Sequence, residues 1–199
     1  MKKIISFFVG ILTLCCSVQV SGADLKLYAK SAVLMEAESG EILYGRSEKK
    51  KMPNASTTKI MTCLYILEHC DLEEKAKVSK NAASQPQVRL GVREGESYKV
   101  KDLLYGLMLE SYNDCAVVLA EHAEGSVEKF ESKINAEAKK LGAKSTHFVS
   151  PNGLDASDKG GSHRTTAYDL ALMMRECIQN KEFLEITRTK NYSFSDASR

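Results

Sequence analysis

"PNASTTKIMTCLYILEHC", residues 53–70, is the stretch on which the reading of the whole chain turns. A helix over 56–70 would be apolar on nearly every face, which places it in the middle of a core rather than on a surface. Yet Ser56 and Lys59 stand at its start. Residues three apart share a helix face, with Cβ atoms about 5–6 Å apart. The first turn also gathers unpaired backbone N–H groups and the positive end of the helix dipole. Such N–H groups can stabilise a developing oxyanion. Burial and the positive field both push a lysine towards its neutral amine. A neutral amine beside a hydroxyl can take its proton, so a Ser–Lys pair acts as nucleophile and base without histidine. The plain alternatives are that Ser56 merely caps the helix and that Lys59 snorkels to the surface. The motif S-x-x-K alone does not choose between them.

Working outward, "SAVLMEAESGEILYGR" (31–46) reads as a hairpin, with strand-like "AVLME" and "EILYG" around the turn "AESG". Residues 71–100 are polar, glycine-bearing and irregular, with short strands. In "KDLLYGLMLE" (101–110), Leu103, Leu104, Leu107 and Met108 follow helical spacing. A further helix starts near Asp114 and stops at Gly125. "SVEKFESKINAEAKKLGA" is amphipathic, with Phe130, Ile134, Ala138 and Leu141 on one face and Gly142 as its stop. Thr166 and Asp169 form a capping-box pattern ahead of a helix that buries Leu170, Met173, Met174, Cys177 and Ile178. "NYSFS" (191–195) is expected to begin a strand. The order is strands, a helix-rich middle, then a return towards strand. That predicts an α+β protein whose sheet opens early, is interrupted by a helical lobe at roughly 80–165, and resumes late.

The first 23 residues differ from the rest. Lys2 and Lys3 precede "IISFFVGILTLCCSVQV", followed by small residues at Ser21 and Ala23, the pattern of a cleavable secretory signal. Without those two lysines, the remaining basic side chains balance the 26 acidic ones, so no nucleic-acid footprint is visible. Cys63, Cys70, Cys115 and Cys177 remain in the exported part. Cys63 and Cys70 share one helix with Cα atoms about 10 Å apart, beyond disulfide reach, and all four lie among apolar residues as small hydrophobes. No cysteine–histidine spacing resembles a zinc site, and neither metal nor cofactor is expected. His69, His122, His147 and His163 show no triad or metal spacing, so surface or capping roles are expected of them.

A second constellation joins the first. "LLYGLMLESYNDCAVVLAEH" puts Ser111, Tyr112 and Asn113 in the break between two apolar helices. Alone, Ser111 or Asn113 would be read as a helix cap. S-x-x-K followed by S-x-N in a helical insert is, however, a known active-site set. The chain resembles the D-alanyl-D-alanine carboxypeptidases, the low-molecular-mass penicillin-binding proteins. The likeness runs from about Ala32 through "SGEILYGRSEKKKMPNASTTKIMT", "AKKLGAKSTHFVSPNGLD" and "HRTTAYDLALMM". It implies an α/β/α sandwich with an inserted helical lobe and the active site between them. It implies Ser56 as the acylated nucleophile, Lys59 as its proton acceptor, Ser111 as proton relay to the leaving D-alanine, and Asn113 as a substrate-binding residue. Peptidoglycan stem peptides are the implied substrate, β-lactams the implied covalent inhibitors, and the outer face of the cytoplasmic membrane the implied location.

Two departures from the family pattern stand out. Tyr112 occupies a position where glycine is more usual, which bears on cleft shape. The third motif, lysine–threonine/serine–glycine on a strand, is absent. The expectation is therefore an incomplete catalytic domain over 24–199, with the last strands and any C-terminal membrane anchor lying beyond it. A β-lactamase is the competing enzyme, since "ESKIN", Glu131 to Asn135, imitates the carboxylate-bearing loop that drives deacylation. Glu131 is expected instead on the solvated face of its helix. A chain that only binds muropeptide is the remaining alternative.

Overall fold

The computed structural model describes residues 26–195; the expected signal segment, 1–23, lies outside them. Strand β1 (Ala32–Met35) pairs antiparallel with β2 (Ile42–Arg46) in the register Ala32↔Arg46 to Leu34↔Tyr44, with an irregularity before Met35↔Ile42. The turn between them closes as Gly40 takes φ +77 and the Glu36 carboxylate accepts from the Ser39 N–H and hydroxyl. Leu34, Ile42 and Leu43 on this hairpin remain exposed.

A 3-10 turn (Ala55–Thr57) leads into α1 (Thr58–His69). This helix is the axis of the molecule. Met61, Cys63, Leu64 and Ile66 are buried on it. Around it stand α3 (Val100–Leu109), α4 (Asn113–Glu124), α5 (Val127–Lys140), α6 (Ala167–Cys177) and α7 (Lys181–Arg188). The all-round apolar character of 58–66 is thus satisfied by neighbours on every side, which is why no amphipathic stripe was needed there. Phe130, Ile134 and Ala138 of α5 face the same core, as their spacing predicts. Gly125 ends α4 in the left-handed conformation, where the missing Cβ removes the steric cost.

The remaining strands are short: β3 (Lys75–Lys77) with β4 (Ser97–Lys99), and β5 (Ser157–Asp158) with β6 (Gly161–Ser162). The four-residue α2 (Lys80–Ala83) packs against α4. Two further backbone bridges tie distant parts of the chain together. Met52 and Thr165 exchange both N–H···O bonds, at 2.8 and 3.0 Å, and His147 and Arg164 do the same at 2.8 and 3.0 Å. The 163–165 segment therefore runs between the approach to α1 and the loop after α5. The architecture is α+β, as expected.

Four expectations are corrected. The helix read over 56–70 starts at Thr58, because Ala55–Thr57 wind as a 3-10 turn. The Thr166/Asp169 box is half formed. Thr166 Oγ1 accepts the Asp169 N–H, but the Asp169 carboxylate turns to the Ser145 N–H and the Thr146 hydroxyl, both at 2.8 Å. Residues 191–195 form no strand. Their rings dock on α3 and β4 instead, with Tyr192 stacked on Tyr105 at 3.6 Å and Phe194 edge-on to Tyr98. Glu131 is half-buried rather than solvated, and burial, with the charges of Glu128 and Asp158, raises its carboxyl to about 7.

Candidate active site

Ser56 sits in the 3-10 turn, exposed, while Lys59 is 2% exposed one turn later. The Lys59 amine reaches Ser56 Oγ at 3.2 Å, Asn113 Oδ1 at 2.8 Å and the Asn152 carbonyl at 2.9 Å. Neither plain alternative holds. Lys59 points inward, not to water. Neither end of the turn is capped by a side chain, and the Ser56 hydroxyl faces the amine.

Burial pulls the Lys59 ammonium down from 10.5 to about 8, against a smaller opposing contribution from Cys115. That contribution requires a thiolate, and burial holds the Cys115 thiol well above its ordinary range, uncharged. A neutral lysine has two N–H donors and one lone pair. Asn113 Oδ1 and the Asn152 carbonyl can take both donors, which leaves the lone pair facing the Ser56 hydroxyl.

Asn113 opens α4 and does not cap it; the N-cap is Tyr112, without a side-chain bond. Its backbone N–H donates to the Val88 carbonyl at 2.8 Å and its Nδ2 to the Pro86 carbonyl at 3.2 Å. The next residue anchors the same loop. The Asp114 carboxylate accepts from the N–H groups of Leu90, Gly91 and Val92 at 3.0, 2.8 and 3.3 Å. Ser111 lies two residues before Asn113 in the break between α3 and α4, half-buried, with left-handed backbone at φ +60. No hydrogen bond joins its hydroxyl to Ser56 or Lys59 among the described residues. Tyr112 folds over α3: a Cβ on Gly106 would come 3.1 Å from its ring. The bulky middle residue of "SYN" thus finds room over a glycine.

The far wall is the turn "SPNG" (150–153). Thr62 Oγ1 donates to the Pro151 carbonyl at 2.7 Å, and Asn152 Nδ2 donates to Gln85 Oε1 at 3.0 Å. Gly153 sits at φ +87, and a Cβ there would lie 1.9 Å from the Ala55 carbonyl oxygen. Only glycine lets this wall approach the residue ahead of Ser56. Ala55 itself is left-handed at φ +43. Left-handed non-glycine backbone costs about 1–3 kcal/mol and concentrates at functional sites; here it occurs beside one motif serine and at the other.

Sequence reasoning missed Asn152, whose contribution is a backbone carbonyl, and His163, expected at the surface. His163 is 3% exposed, and its Nε2 lies 2.7 Å from Thr58 Oγ1. The other three histidines keep outer roles. His122 pairs with Glu74, His147 pairs with Asp158, and His69 bonds the Tyr65 carbonyl near the end of α1. Among the described residues, Cys63, Cys70, Cys115 and Cys177 are free, and all but Cys70 are buried. Asn135, the last residue of "ESKIN", has its amide committed to both backbone groups of Phe148, at 2.7 and 2.8 Å.

Residues 17–199 match the D-alanyl-D-alanine carboxypeptidase family of peptidases. The chain belongs to that family. It is 38% identical over 172 residues to the D-alanyl-D-alanine carboxypeptidase DacF of Bacillus subtilis, covering 84% of this chain and 43% of that protein. It is 38% identical over 167 residues to DacB2 of Mycobacterium tuberculosis, covering 83% of this chain and 56% of that one. The chain thus spans about half the length of these curated relatives. Penicillin binding protein 6B of Escherichia coli superposes with a TM-score of 0.79 at 29% identity, over 89% of this chain and 59% of that one. Penicillin-Binding Protein D2 of Listeria monocytogenes, solved in an ampicillin-bound form, gives 0.72 at 33% identity, over 83% and 68%. The fold is therefore that of the DD-peptidases, as the resemblance implied.

Proposed function

We propose that this chain carries the nucleophile side of an exported serine-type D-Ala-D-Ala carboxypeptidase acting on peptidoglycan stem peptides outside the cytoplasmic membrane. The observation that carries the reading is the dry Lys59 amine, 3.2 Å from an open Ser56 hydroxyl and otherwise engaged by Asn113 and Asn152. Ser56 Oγ attacks the carbonyl carbon of the penultimate D-alanine while its proton passes to Lys59 Nζ. The positive end of the α1 dipole favours the charge that develops on the carbonyl oxygen. The C–N bond then breaks, and the leaving amine of the terminal D-alanine receives a proton relayed through Ser111. An acyl ester on Ser56 remains, and water hydrolyses it to the shortened peptide and free Ser56. Asn113 holds the substrate backbone as well as the lysine. A β-lactam is attacked in the same way, but its leaving nitrogen stays tethered to the acyl group, so the ester persists.

Family membership and the ampicillin-bound Listeria relative support this reading. A β-lactamase would require Glu131 to drive deacylation, and the Asn135 beside it on α5 is spent on tethering Phe148. The test is release of D-alanine from a peptide ending in D-Ala-D-Ala, together with labelling by a fluorescent penicillin. Both are expected, and both vanish in Ser56→Ala. Labelling that survives Ser56→Ala defeats the proposal, and rapid nitrocefin turnover would replace it with the β-lactamase.

A further inference from the structure

His163 is a buried ring that the chemistry above does not use, and its hydrogen bonds have only one consistent direction. The Val149 N–H donates to Nδ1 at 2.9 Å, so Nδ1 offers a lone pair and the ring proton sits on Nε2. Nε2–H then donates to Thr58 Oγ1 at 2.7 Å. Asn54 Nδ2 donates to the same oxygen, also at 2.7 Å. With both its acceptor directions filled, the Thr58 hydroxyl has one proton left to give, and the Ala55 carbonyl is the acceptor at 2.8 Å. That carbonyl also accepts the Thr58 N–H. It belongs to the left-handed residue before Ser56 and points at the wall formed by Gly153. The ring in turn is held from outside the turn, because Arg164 bridges His147 and Thr165 bridges Met52 through paired backbone bonds.

We infer that His163 is a positioning residue for the nucleophile. Acting through the Thr58 hydroxyl, it locks the Ala55 carbonyl in its strained orientation and thereby seats the Ser56 hydroxyl opposite the Lys59 amine. It touches neither substrate nor the reacting atoms. Burial holds the ring below its ordinary 6.5, in the neutral state that the Val149 donor requires. The inference rests on Ser56 as nucleophile. It adds that the serine's placement is set by a side chain more than a hundred residues later in the chain.

The test is a double-mutant cycle on the full chain, read as the rate constant for acylation by a fluorescent penicillin and its half-saturating concentration. Thr58→Val and His163→Leu are each expected to lower the rate constant at least tenfold with the half-saturating concentration unchanged. The double variant falls no more than twofold below the slower single one. A wild-type rate in either single variant overturns the inference, as do losses that multiply in the double. Nitrogen-15 spectra of the wild-type imidazole give a second reading that needs no variant. The proton on Nε2 with Nδ1 as acceptor is expected, and the opposite tautomer removes the directed chain to Ala55. If the wild-type protein is not acylated at all, the nucleophile reading fails and the positioning role falls with it, whatever the tautomer.

Discussion

Raising the pH from 6 to 9 accelerates acylation of Ser56 about 90-fold if the Lys59 amine is the base. Only the neutral amine can accept the hydroxyl proton, so the rate follows the deprotonated fraction and must rise with pH. With the amine at about 8, that fraction is about 1% at pH 6, about 9% at pH 7 and about 91% at pH 9. The curve bends near 8 and flattens above it. A lysine left at its ordinary 10.5 behaves differently. Its neutral fraction at pH 7 would be about one part in 3,000, and between pH 6 and 9 it would climb about 1,000-fold without bending. The two cases therefore differ in shape as well as size. Burial holds His163 below its ordinary 6.5, away from the bend near 8. The assay is the second-order rate constant for a fluorescent penicillin, measured by stopped flow at constant ionic strength. A rate still rising tenfold per pH unit between 8 and 9 refutes the burial argument. A flat profile refutes Lys59 as the base.

Three substitutions probe the frame around that pair. Gly153→Ala drives a Cβ to 1.9 Å from the Ala55 carbonyl oxygen; a loss of about 1–3 kcal/mol or more is expected, seen as a lowered melting temperature with loss of penicillin labelling, and a wild-type melt contradicts it. Asp114→Asn replaces one acceptor oxygen with a donor that faces the N–H groups of Leu90, Gly91 and Val92; about 1–3 kcal/mol is lost in urea unfolding, and trypsin cuts faster at Arg89. Glu131→Gln leaves hydrolysis of the penicilloyl ester within twofold of wild type, and a marked slowing would revive the β-lactamase reading.

What the sequence made legible was local. The hairpin at 31–46, the amphipathic α5, the stop at Gly125 and the wholly apolar α1 each announce themselves by period or by turn chemistry within a few residues. The pairing of Ser56 with Lys59 was readable for the same reason, being one helical turn. The rest of the site is assembled from a distance. Asn152 contributes a carbonyl, which no side-chain pattern encodes. His163 meets Thr58 only because the 163–165 segment is bridged to Met52 on one side and His147 on the other. Glu131 lies on a face whose periodicity reads as solvent, yet the helix is half covered there and its acidity shifts accordingly. The strand expected at 191–195 failed because its aromatic rings found Tyr105 and Tyr98 as partners, and side-chain alternation does not say whether a neighbouring backbone is available.

The central claim is that Ser56 becomes the ester. Peptide mapping by mass spectrometry after brief exposure to penicillin at pH 8.5 tests it most directly. One penicilloyl group on the peptide containing Ser56, absent when Lys59 is changed to arginine, is the predicted result. An adduct on Ser111 or on any other side chain, or an undiminished adduct on Ser56 in Lys59→Arg, would contradict it.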